Sequence, residues 1–160
     1  MKNLNLEGII ALLEKSKEMV VGNATDGALD TIEGALDIAY KVSEQIEVKK
    51  AAVFTCNQMI SKQVSSLLRL RSEEDNKNDK ILSNLFLTVY KTEEEIAKVV
   101  RHYDSLLFRS NTLIRLIGEA ESELRLIEIE ADAALFIERA IANAEEFTEV
   151  ISSDFYIKGV

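Results

Sequence analysis

The chain has 160 residues and a formal net charge of −9, with no proline, no tryptophan, six glycines, one cysteine and one histidine. A single cysteine excludes an intrachain disulfide framework, a single histidine excludes any site that needs two, and the acidic balance argues against a nucleic-acid-binding domain. Proline costs about 3 kcal/mol inside a helix, so its absence leaves long helices unopposed and points to an all-α chain. A chain of this length reads as one domain, residues 1–160.

The first helix is expected over about 4–21. Ile9, Ile10, Leu13 and Val20 share a stripe, and Asn3 or Asn5 is placed to cap the free N–H groups at its start. Gly22 suits the left-handed residue that closes a helix. The apolar run at the start is interrupted by Glu14, Lys15, Lys17 and Glu18, unlike a secretory leader. No stretch reaches the roughly 18 uncharged apolar residues needed to span a bilayer. The expected location is therefore cytoplasmic, with a virion or export without a leader also compatible, and a membrane role is not expected.

The second helix is expected over 26–71. Ile32, Ala39, Ile46, Val53, Ile60 and Leu67 give an apolar residue at every seventh position, with a weaker companion row of Ala35, Val42, Lys49, Cys56, Gln63 and Leu70. Gly27, Ala28, Gly34 and Ala35 make a small-residue face that another helix can approach closely. Residues 72–79 contain no apolar side chain and form the expected turn, with Asn78 or Asp79 capping the next helix.

From Lys80 nothing forces a stop before about residue 151, a helix of about 105 Å. With Leu82 at heptad position a, the a and d positions include Leu82, Leu85, Val89, Ile96, Val99, Tyr103, Leu106, Leu113, Ile117, Leu124 and Ile127, and the pattern continues to Ile141. Such a row predicts a supercoiled seam for an oligomer or another partner. The segment 124–137 is apolar almost all round, so more than two helices must share the cross-section. Residues 152–160 lack periodicity.

These elements predict a long antiparallel helical hairpin, a coiled coil that assembles into a multi-helix, four-helix-type bundle. The alternative is a compact monomeric four-helix bundle broken near Ser110, the polar residue on the seam. Charge bears on the choice: segment 41–71 carries +4 and 119–150 carries −8. Two hairpins paired antiparallel set the acidic end of one beside the basic half of the other. Unbroken heptad phase through Ser110 favours that arrangement.

No reaction is encoded in recognisable form. No Glu-x-x-His pair, Cys-x-x-Cys, glycine-rich phosphate loop or Asp-rich calcium loop is present, so no catalytic residue, metal or cofactor is expected. The expected function is a non-enzymatic scaffold, adaptor or assembly factor acting through protein–protein contacts, as a homodimer or higher oligomer. The alternative is a small acidic inhibitor that blocks a basic surface through Glu121, Glu123, Glu128, Glu130 and Asp132. Those glutamates lie on heptad e and g positions, which also select coiled-coil partners.

Overall fold

A computed structural model of the chain describes residues 4–126 and 130–152, with every side chain among them except those of Glu74, Glu130, Ala131 and Asp132. The described residues form α1 (Leu6–Val21), α2 (Thr25–Ser72), α3 (Lys80–Leu126) and α4 (Glu130–Ser152), with a short 3-10 turn at Glu74–Asn76. Among the described residues there are no strands, and the helices pack on one another as an all-α multi-helix bundle.

Local chemistry sets the helix ends. Asn5 Oδ1 accepts from the Gly8 N–H at 3.0 Å and caps α1. Asp79 Oδ1 accepts from the N–H groups of Ile81 and Leu82 at 2.9 and 3.1 Å and caps α3. The close of α1 differs from the sequence expectation by one residue. Gly22 has φ −86°, and the left-handed residue is Asn23 at φ 60°. The Ala24 N–H reaches back to Met19 O and the Asn23 N–H to Val20 O, the paired bonds of a Schellman closure with asparagine in the left-handed place. Asparagine, whose short polar side chain can bond locally, tolerates that conformation and takes the place expected of Gly22.

The contacts divide the chain into two units, Met1–Ile46 with Ser105–Val160, and Glu47–Asp104. In the first, one polar contact marks each neighbouring pair of helices and closes a ring. Ser16 Oγ on α1 donates to Ala28 O on α2, Arg125 on α3 meets Glu33 on α2 at 2.6 Å, Arg109 on α3 meets Glu146 on α4 at 2.9 Å, and Lys17 on α1 meets Glu138 on α4 at 2.7 Å. The small-residue face of α2 receives α1. Ala28 and Ala35 are fully buried, and a Cβ added at Gly27 would touch Met19 Sδ at 3.4 Å. The core holds Ile9 and Leu13 of α1, Ile32 and Ile46 of α2, Leu106, Leu113 and Ile117 of α3, and Ile137 and Phe147 of α4, each at most 1% exposed.

Two expectations are corrected here. The break near Ser110 that the alternative arrangement requires does not occur: α3 runs through it, and Ser110 is 1% exposed inside the core. The single helix over 80–151 does not occur either. Arg109 and Glu146 are 37 residues apart yet bonded, so the chain reverses between α3 and α4. The heptad phase slips there as well. Phase carried from Leu82 would bury Ala134, Glu138 and Ile141, whereas α4 buries Ala133, Ile137, Ala140, Ala144 and Phe147, and Glu138 is exposed. Segment 124–137 is apolar on so many sides that either phase finds hydrophobic residues, which hides the slip.

Burial predicts how the heptad row divides energetically. Leu113→Ala and Ile117→Ala each leave a cavity in a closed core and should cost about 2–5 kcal/mol. Leu85→Ala, on the same sequence row but 49% exposed, should cost under about 1 kcal/mol. Urea denaturation of the three variants measures the difference.

Candidate protein-interaction surface

The second unit contains the rest of α2 and α3, joined by the 3-10 turn as an antiparallel helical hairpin. Lys50 meets Asp104 at 2.5 Å, the Ser61 hydroxyl donates to Glu93, and the Arg71 guanidinium lies 5.2 Å from the centre of the Phe86 ring, which stacks on Tyr90. Residue numbers rise on one helix as they fall on the other.

Both helices change the face they hide. Number them so that Ile46 and Leu82 are a. In the bundle unit α2 buries a and d positions (Ala28, Ile32, Ala35, Ala39, Val42) with Ser43 beside them at e, and α3 buries a and d positions (Leu106, Ser110, Leu113, Ile117, Ala120, Leu124). In the hairpin the covered rows are a and e: Lys50, Val53, Asn57, Ile60, Val64 and Leu67 on α2, and Leu82, Phe86, Val89, Glu93, Ile96 and Val100 on α3. All of these are half-buried, and among the described side chains of the unit only Tyr103 is buried outright. With one neighbour instead of two, each helix keeps its a row and turns to the adjacent row that meets that neighbour.

The predicted seam therefore splits. Leu106, Leu113, Ile117 and Leu124 are buried within the chain's own bundle unit, while in the hairpin unit Tyr103 is buried and Leu82, Val89, Ile96 and Val99 are half-buried. Leu85 is exposed, because its d position faces away from the single neighbouring helix within the chain, and Ile127 lies outside the described residues. Of the predicted acidic face, Glu121 is held by Arg125 at 2.9 Å and Glu123 is half-buried. Glu128 lies outside the described residues, as do the side chains of Glu130 and Asp132.

Sequence patterning missed the face that the switch opens. At about 100° per residue, a and e straddle the line to the neighbouring helix, with d and g to one side of it. Antiparallel pairing brings the d and g rows of both helices to the same side. The rows read Lys49, Ala52, Cys56, Met59, Gln63, Ser66 and Leu70 on α2, and Ile81, Leu85, Thr88, Thr92, Glu95, Val99 and His102 on α3. Twelve of these fourteen are exposed, and only Lys49 and Glu95 among them are ordinarily ionised. Ile81 is 82% and Met59 63% exposed. The opposite side shows Phe54, Leu68, Leu87 and Tyr90, interrupted by Glu47, Glu94, Arg101 and Asp104. The signal for this face was available in the mixed companion row of α2. Lys49 and Gln63 there are too polar for a core, and Cys56 and Leu70 are too apolar for a purely solvated face.

No group of three or more His, Cys, Asp or Glu side chains among the described residues is placed to hold a metal ion, and Cys56 is exposed. No described helix is long and apolar enough to cross a membrane. No protein-family model, no curated protein and no solved structure matches the chain.

Burial pushes His102 below its ordinary value. On acidification the unfolded chain takes up a proton near pH 6.5 and the folded chain only at lower pH, so folding is favoured above about 6.5 and loses that advantage as pH falls through the folded value. The melting temperature should therefore drop between pH 7.5 and pH 5.5, above the ordinary carboxylate range, and His102→Gln should reduce the drop. Thermal melts of both proteins at the two pH values measure it.

Proposed function

We propose that this chain is a non-enzymatic helical scaffold, adaptor or assembly factor that works in the cytoplasm through protein–protein contacts on its hairpin unit. The observation that supports this reading is where apolar surface is left uncovered. Of fourteen exposed large hydrophobic residues among those described, nine lie in Glu47–Asp104: Val48, Phe54, Met59, Leu68, Leu70, Ile81, Leu85, Leu87 and Tyr90. Contiguous exposed apolar surface marks interaction sites on soluble proteins, whereas single scattered residues carry no such meaning. The nearly uncharged d and g face, which runs along both helices of the hairpin, belongs to the first kind.

A second reading, an acidic inhibitor of a basic protein surface, is favoured by charge. The bundle unit holds nine Lys and Arg against nineteen Asp and Glu, while the hairpin holds ten against nine. The two readings place the partner on different units, which makes them separable. Capture from the native source with the tagged chain should retain partners that drop at least about tenfold on Met59→Lys with Leu85→Lys, or on Phe54→Lys with Tyr90→Lys. Capture indifferent to both pairs, but salt-sensitive and lost on charge reversal of Glu121, Glu123, Glu128 and Glu130, overturns the scaffold reading in favour of the inhibitor.

A further inference from the structure

We propose that the nearly uncharged d and g face of the hairpin is covered by the same face of a second copy of this chain, the two hairpins lying antiparallel. This rests on the reading of the hairpin as a protein-contact unit and names its occupant.

Three observations single out a second copy. The first is what the same rows do elsewhere. Along α2 and α3 the d row is buried in the bundle unit, where α1 and α4 complete the cross-section, and it is open in the hairpin. A second hairpin brings two helices, the number the bundle unit uses for this cover. The second is charge. Two bundle surfaces at −10 each repel, whereas two hairpins at +1 approach without opposition. The third is area. A face two helices wide and about 35 Å long covers about 700 Å² per copy at a helix diameter of about 10 Å, close to the roughly 800 Å² that each partner of a stable interface hides.

Charge favours one direction. The turn 72–79 carries −3, with Arg69, Arg71 and Lys80 beside it, and the opposite end of the hairpin carries Lys49, Lys50, Lys98 and Arg101 against Glu47, Glu95 and Asp104, with Lys50 bonded to Asp104 and Lys98 to Glu95. Parallel pairing sets turn against turn and basic end against basic end. Antiparallel pairing sets Lys49 of one copy beside the acidic turn of the other, with the two-fold axis near Gln63. It also lays α2 on the partner's α2.

Sedimentation equilibrium of the full chain tests the pairing. The expected result is a dimer whose dissociation constant rises at least about 100-fold on Met59→Lys with Leu85→Lys. Phe54→Lys with Tyr90→Lys on the opposite side should leave it within about threefold. All four residues are exposed in the single chain, so an unchanged circular dichroism spectrum certifies the fold of each variant. Cysteines placed singly at Met59, Gln63 and Ser66 in a Cys56→Ser chain test the direction, and at least one should form an interchain disulfide on mild oxidation. A monomeric chain, a dimer indifferent to Met59→Lys with Leu85→Lys, or one broken by the Phe54 and Tyr90 pair overturns the proposed interface. A dimer with no disulfide at any of the three positions overturns the antiparallel arrangement. A monomer that still loses captured partners on hairpin substitution overturns self-pairing alone and leaves the scaffold reading standing.

Discussion

An α-helix with one apolar residue in every seven can hide that row against a neighbour, and each additional neighbour requires an adjacent row. This constraint governs both units. The a rows of α2, from Ile32 to Leu67, and of α3, from Leu82 to Leu124, are continuous through both. Where α1 and α4 are also present, the d row closes against them and the core residues fall to a few per cent exposure. Where α2 and α3 have only each other, the e row is used and, among the described side chains, nothing but Tyr103 is buried outright. Full burial of a leucine-sized side chain contributes about 1.5–3 kcal/mol, so the half-buried rows of the hairpin contribute less per residue than the bundle core. The hairpin is accordingly the part with the lower local stability and with surface to spare.

Ion pairs do different work. The contacts Lys17–Glu138, Glu33–Arg125, Arg109–Glu146 and Lys50–Asp104 each join two helices, and the carboxylate of every pair is about half exposed or more. Exposed pairs contribute between nothing and about 1 kcal/mol. Their value lies in matching helices and register: α3 presents Arg125 towards α2 and Arg109 towards α4. The buried hydroxyl of Ser16, bonded to Ala28 O, adds a fixed point between α1 and α2 at little hydrophobic cost.

The functional reading follows from the incomplete cover rather than from any reactive group. A face with two ionised positions among fourteen is poor at staying solvated and well suited to meeting another apolar surface. Across the chain, acidity is concentrated in the bundle unit and nearly absent from the hairpin's net charge. In the proposed pairing, that segregation leaves most of the self-repelling charge outside the contact face.

Helix class, caps and the polar turn were legible in the residues because they are local. Asn5 and Asp79 have the acceptor where the free N–H groups lie, and eight consecutive polar residues have nothing to bury. The a rows were legible too, since only a helix returns residues seven apart to one side. Three features were not. The reversal between Leu126 and Glu130 falls in a stretch without glycine or proline, so no local breaker announces it. The slip in α4 was masked because both candidate phases are apolar. The change from d to e in the hairpin depends on how many neighbours a helix has, and a sequence pattern records which sides are apolar without recording what stands beside them. The residues alone thus determined that the chain is helical and which row of each long helix must be covered. Only the tertiary structure decided where the third stretch folds back, and that the d row of the hairpin is left open, because both depend on the number and placement of packed neighbours.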